Sequence, residues 1–184
     1  MKVYVIRHGL TELNKKKKVN GQIDEPLAHE GKEQAGAAIA LIPKSIKYIY
    51  TSSMLRGRQT AEIINSKLNL PLSPQNELTE IHMGSLAGNS WEEMESGLEL
   101  KIKHRTVQFD YKAYGGESVK GVKKRVVEFL KKIKQKHKDK EVLIITHGGI
   151  IRLLYLLERN QVVDETEKHV SFLTFDLDKI IKNS

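Results

Sequence analysis

The sequence predicts an α/β protein, a three-layer α/β/α sandwich around a mostly parallel sheet. Two observations carry this. Short β-branched runs alternate with longer segments of helical period, the pattern of strands joined by crossover helices. The strand-like runs are apolar nearly throughout, as strands covered on both faces are.

The elements follow in order. Residues 2–6 (KVYVI) read as a buried strand. Residues 27–42 read as a helix with Ala35, Ala38, Ile39 and Ile42 on one side. Residues 46–50 (IKYIY) read as a second strand, and residues 55–68 as a helix with Ala61, Ile64 and Leu68 at helical spacing. Ser90 and Glu93 fit a capping box; the helix they open would carry Trp91, Met94, Leu98 and Ile102 at spacings of three and four. Ser118 can cap a long amphipathic helix with Val119, Val122, Val126, Leu130 and Ile133 inward. Residues 142–146 (VLIIT) form a third strand, and residues 150–157, apolar nearly all round, a buried helix. Residues 169–177 read as a last strand whose weaker alternation suits a sheet edge. No repeat or linker interrupts the 184 residues, so one domain over 1–184 is expected.

Composition narrows the function. There is no cysteine, which excludes a thiolate metal site and a cysteine nucleophile. No apolar run approaches the ~18 residues of a membrane span, and the N-terminus lacks a secretory pattern, so the expected setting is cytoplasmic with no membrane partner. The net charge of +8 comes from 24 Lys and 7 Arg. Nine Lys fall between Lys120 and Lys140, where they read as the wet face of one helix. Lys15–Lys18 reads as a solvated run. Aromatic residues make up only 6% and do not interleave with the basic ones, against a nucleic-acid partner.

Open parallel sheets bind ligands at the carboxyl ends of their strands. Those ends carry Arg7-His8-Gly9, Thr51-Ser52-Ser53-Met54-Leu55-Arg56 and Thr146-His147-Gly148-Gly149. Two histidines followed by glycine stand in the same context, with arginine forks for oxyanions beside them. Glycine after each histidine lets backbone approach a ligand closely.

These motifs are similar to those of the histidine phosphatase superfamily, the phosphoglycerate mutase-like family. The likeness runs through Arg7-His8-Gly9-Leu10-Thr11-Glu12-Leu13-Asn14, the turn Gly21–Leu27, and Gly31, Gln34 and Ala35. It continues through Thr51, Ser52, Arg56, Thr60 and Ala61, then Leu78, Glu80 and Gly84, Gly115–Ser118 and His147–Gly149. It covers about residues 2–176. Leu10, Leu13, Met83, Leu86 and Ala87 depart from the family pattern outside the phosphate pocket, where they bear on substrate preference.

The resemblance implies a phosphoglycerate mutase-like fold with one antiparallel edge strand, and residues 88–115 as a specificity insert. It implies a cofactor-independent, metal-independent phosphatase acting on a small phosphorylated metabolite. His8 is the nucleophile that becomes a phosphohistidine; Arg7, Arg56 and a charged His147 clamp the transferring group and lower the His8 pKa by like-charge repulsion. Glu80 matches the general acid. Asn14, Thr11, Gly21 and Gly148 are expected to bind phosphate. A carbonyl of the Gly9 turn is expected to fix the His8 tautomer. His29, His104, His137 and His169 are assigned surface or packing roles. The alternative within the family is a 2,3-bisphosphoglycerate-dependent mutase, which is less favoured because family mutases cover the site with a longer C-terminal tail. The oligomeric state is left as monomer or homodimer.

Overall fold

The computed structural model describes residues 1–138, 140–163 and 169–184. In chain order the main elements are β1 (Lys2–Arg7), α1 (Glu12–Lys15), α2 (His29–Ala38), β2 (Ile46–Ser52), α3 (Leu55–Leu68) and β3 (Leu72–Gln75). They continue with α4 (Gly97–Arg105), α5 (Val119–His137), β4 (Glu141–Thr146), α6 (Gly148–Arg159), β5 (Phe172–Asp176) and α7 (Leu177–Lys182). The sheet runs β3-β2-β4-β1-β5. Strands β3, β2, β4 and β1 are parallel, and β5 returns antiparallel along β1 with Val3 opposite Phe175. This is the expected layered architecture with its one antiparallel edge.

Side-chain alternation divides the core between the two faces of the sheet. Val3, Val5, Val142 and Ile144 pack with Val126, Leu130 and Ile133 of α5 and Ile150, Leu153 and Leu154 of α6. Tyr4, Ile6, Leu143 and Ile145 face the other way, against Ala38 at the end of α2 and Ala61 and Ile64 of α3. The lysines of α5 fall opposite its apolar stripe, so the charge run is the wet face of one amphipathic helix.

Four elements differ from expectation. Helix α2 begins only at His29, because Leu27 is extended and bridges Thr11, and its last turn tightens to a 3₁₀ turn over Ile39–Leu41. Residues 90–105 do not form one helix. The capping box of Ser90 and Glu93 is present, but it opens only the 3₁₀ turn Trp91–Glu93. Ser96 then enters the left-handed region (φ 55°), and α4 starts afresh at Gly97. As a result Leu98 and Ile102 are 73% and 53% exposed instead of inward. The last strand is shorter than 169–177: His169 and Val170 form a turn, and Leu177 opens α7 with Asp176 as its cap. Strand β3 contains Pro74, which a strand reading of the sequence disfavours; it lies on a sheet edge, where a missing N–H is tolerated.

Candidate active site

Strands β2, β4 and β1 are neighbours, and Arg7 lies in register with Thr146. The residues that leave these strands therefore emerge side by side. His8 continues the ladder by donating its N–H to Thr146 O at 2.9 Å. Its ring lies 5.0 Å, centroid to centroid, from that of His147. Both histidines are buried, at 2% and 0% exposure.

The turn after His8 is locked by close approach. A Cβ on Gly9 would overlap the carbonyl of Gly31, and one on Gly31 would overlap Leu10 O, so the α2 start and the nucleophile turn interlock. Gly9 N–H donates to Thr60 Oγ1 at 3.1 Å, and that hydroxyl donates to Arg56 O at 2.7 Å, joining the turn to α3.

His8 Nδ1–H donates to Gly9 O at 2.7 Å, as the turn was expected to provide. The remaining nitrogen, Nε2, then carries the lone pair. Burial first, then the Arg56 and Arg7 guanidiniums and His169, hold the His8 pKa well below the usual imidazole value. The ring is thus neutral at working pH, and its desolvation matters more than the like-charge repulsion that the sequence suggested.

His147 differs from expectation in charge. Burial and the neighbouring Arg56, His8 and Arg7 push its pKa well down, so it is a neutral imidazole and not a cation. Ser52 Oγ accepts from Met54 N–H, and its hydroxyl is left to donate to His147 Nε2 across 2.7 Å. With Ser52 as the donor of that bond, the His147 proton falls on Nδ1, which is buried without a hydrogen-bond partner. An unsatisfied buried donor is costly unless a ligand completes it.

Arg56 is 0% exposed. It donates to Ile23 O (2.7 Å) and Gly21 O (2.9 Å), which fix the guanidinium plane and explain the turn at Gly21. Its Nε is buried with no hydrogen-bond partner. Burial lowers the Arg7 pKa to about 10, so it stays a cation at neutral pH; Glu80 offsets part of that loss. Glu80 itself is held at both oxygens, accepting from Ile81 N–H (2.9 Å) and Gly149 N–H (3.2 Å). Its carbonyl accepts from Gln22 and Arg125, and Arg125 is fixed in turn by Glu117.

Arg7, His8, Asn14, Gly21, Glu80 and Gly148 line the floor of one cavity of about 160 Å³. Arg56 and His147 are fully buried and are not among its lining residues. Thr11 is not brought to the cavity: it is fully buried as the N-cap of α1, its hydroxyl accepting from Asn14 N–H and Asn20 Nδ2. Asn14 completes that cap with its Oδ1 and donates Nδ2 to Asn20. Ser118 caps α5, and His82 Nδ1 accepts from Gly84 N–H. Among the described residues no group of three or more His, Asp or Glu side chains is arranged to hold a metal ion, and no helix is long and apolar enough to cross a membrane.

The sequence profile of the Histidine phosphatase superfamily (branch 1) matches residues 3–168. This chain belongs to the histidine phosphatase superfamily. The superfamily makes it a phosphatase-type enzyme. Among its relatives is phosphoglycerate mutase-like protein 4 of Arabidopsis thaliana, 32% identical over 167 residues, 83% of this chain and 69% of the relative. The metal-independent phosphoserine phosphatase of the same plant is 33% identical over 159 residues, 84% of this chain and 67% of the relative. The solved structure of Bacillus stearothermophilus YhfR superposes with a TM-score of 0.81 at 26% identity, covering 94% of this chain and 89% of that one.

Several site residues of this superfamily member were not legible as such. The sequence reads His169 and His104 as surface or packing residues, and both do pack, but at the site. His169 stands edge-on to His8, ring centroids 5.4 Å apart, and its Nδ1–H donates to His8 O at 2.8 Å. His104 lines the cavity, as do Trp91, Arg105 and Arg152. The run Lys15–Lys18 also splits: Lys15 pairs with Glu12 and Glu30, whereas Lys17 and Lys18 reach the cavity wall, Lys18 pairing there with Glu93 at 3.6 Å.

Proposed function

We propose that the chain is a metal-independent phosphatase that hydrolyses small phosphate monoesters through a phosphohistidine on His8. One observation supports this above the rest: a neutral His8, its Nδ1 pinned to Gly9 O, lines the cavity beside Arg7, with the His147 ring 5.0 Å from its own and the Arg56 charge acting on it.

In the first step the Nε2 lone pair of His8 attacks phosphorus in line with the ester oxygen. The P–O bond breaks as the N–P bond forms. Arg7 and Arg56 neutralise charge on the equatorial oxygens, and His147 Nδ1–H donates to one of them. The departing alkoxide takes a proton from Glu80, the carboxyl group that lines the same floor. In the second step Glu80 removes a proton from water, the hydroxide attacks phosphorus, and the N–P bond breaks. Inorganic phosphate leaves, His8 regains its lone pair and Glu80 its proton. The positive charge for both steps comes from the protein's own guanidiniums.

Rapid quenching with a ³²P-labelled monoester in the presence of EDTA tests the reading. Acid-labile, base-stable label on wild type, absent from His8→Ala, is the expected result. Label that persists in His8→Ala, or turnover abolished by EDTA, would overturn it. With 3-phosphoglycerate, phosphate release is expected to outpace isomerisation; the reverse would assign a mutase.

A further inference from the structure

The turn that carries the nucleophile is gripped from a segment that no step of the phosphoryl transfer uses. The ladder between β1 and β5 ends where Ile6 faces Phe172. Past that point the turn that precedes β5 takes two carbonyls. Val170 N–H donates to Arg7 O at 3.0 Å, and His169 Nδ1–H donates to His8 O at 2.8 Å. A carbonyl only accepts, so Nδ1 is the protonated nitrogen of His169. Burial, and then the Arg7 charge, lower the His169 pKa to about 4, so the ring is neutral and carries that one N–H.

Two peptides follow His8, and both must hold still if the imidazole is to stay aimed. The Gly9–Leu10 peptide supplies the carbonyl that pins His8 Nδ1, and its N–H donates to Gln34 Oε1 at 3.1 Å. The His8–Gly9 peptide joins it to the strand. Its N–H donates to Thr60 Oγ1, and its carbonyl accepts from His169. The residue between the two peptides is glycine, whose backbone resists rotation least. Each peptide is therefore held at both polar ends, and His169 holds the first carbonyl. His8 is 2% exposed, so little water reaches that oxygen to take the place of the imidazole.

The segment that presents His169 is itself strained. Val170 has φ 62°, in the left-handed region, where a β-branched residue is an outlier. Its side chain is buried in the core group that holds Tyr4, Ile6 and Ala38, and its N–H is fixed by Arg7 O. Strain of this kind persists where the surroundings over-determine it, and it gathers at functional sites. We propose that His169 is a positioning residue for the nucleophile: its Nδ1–H fixes the His8–Gly9 peptide and so aims His8 Nε2 at phosphorus. This rests on the reading of His8 as the residue that is phosphorylated. His169 is not among the residues that line the cavity, so it acts through His8 and not on substrate.

Two variants separate the donor from the ring. His169→Phe keeps a ring and has no donor. His169→Asn carries an amide nitrogen on Cγ, as Nδ1 is carried, and keeps the donor without the ring. The readout is the single-turnover rate at which label from ³²P-labelled p-nitrophenyl phosphate appears on the protein; competitive inhibition by inorganic phosphate reports the pocket. His169→Phe is expected to label about tenfold or more slowly than wild type, the scale of a misplaced reacting atom, with the inhibition constant within about twofold. His169→Asn is expected to label within about threefold of wild type. Labelling of His169→Phe at the wild-type rate, labelling of His169→Asn as slow as that of His169→Phe, or phosphate inhibition that weakens in step with the rate would overturn the role. A measurement on wild type needs no variant to fold: ¹⁵N–¹H spectra of histidine-labelled protein at pH 7 read the ring tautomers. Protonated Nδ1 on His169 is expected, and a proton on Nε2 instead would overturn the grip. If no label forms on wild type, the phosphohistidine reading fails, and the His169 tautomer alone then decides whether the His8–Gly9 peptide is held in this way.

Discussion

The floor of the cavity and the wall above it are built on different principles. Floor residues leave adjacent parallel strands, and each is fixed by backbone: His8 by Gly9 O and Thr146 O, Arg56 by Gly21 O and Ile23 O, Glu80 by two N–H groups. The wall is made of short turns and α4, which restarts at a left-handed Ser96 and leaves Leu98 and Ile102 in solvent. Chemistry that tolerates little displacement sits on the sheet, and discrimination sits on a segment free to change without disturbing it.

The largest loss is expected at the nucleophile. His8→Ala should lower kcat by on the order of 10⁴-fold or more, since losing a covalent nucleophile removes most of the catalysis, whereas Leu98→Ser on the solvent side of α4 should leave kcat within about twofold. Steady-state assays with p-nitrophenyl phosphate check both. Next, Glu80→Gln should slow alkyl esters by about 10²–10⁴-fold but nitrophenyl esters far less, because only the poor leaving group needs the proton. Equal slowing would remove Glu80 from the acid role. Arg56→Met should then cost about 10²–10³-fold in kcat, the scale of one lost transition-state donor.

Stability sharpens the contrast. Leu143→Ala, fully buried in the sheet, should cost about 2–5 kcal/mol, while Ile102→Ser, exposed on α4, should shift stability by under about 0.5 kcal/mol. Urea midpoints measure both.

The remaining effect is in pH. His8, His104, His147 and His169 all have folded pKa values below the ordinary imidazole value of about 6.5, with His104 near 3 and His169 near 4. Unfolded histidine takes up a proton that the folded ring refuses. Stability is therefore unaffected by these groups above about pH 6.5 and falls as pH drops below it. Urea midpoints between pH 7.5 and 5 should decline accordingly; a flat profile would mean that the rings protonate without cost.

Legibility followed the same division. The floor was readable because each strand delivers its chemistry one residue past an apolar run, and the His-Gly pairs repeat that signal twice. Its charge state was not, since the protonation of His147 depends on Ser52, which lies 95 residues away in sequence. His104 and His169 looked like isolated histidines; only the folded chain brings one to the cavity and the other onto the His8 ring. The expected single helix through Trp91, Met94, Leu98 and Ile102 failed because spacing reports period and not continuity. A left-handed Ser96 and the close packing of Gly97 against the Trp91 carbonyl interrupt it without any proline.

The interlock between Gly9 and Gly31 has an outlying consequence. Position 31 belongs to a helix that never meets substrate, yet a single methyl there would displace the Leu10 carbonyl and with it the peptide that aims the imidazole. Mutational tolerance around this reaction should therefore not decay smoothly with distance from phosphorus. A saturation scan should reveal an intolerant island on the far side of the nucleophile turn, as severe as the pocket itself and invisible to any map drawn from ligand proximity.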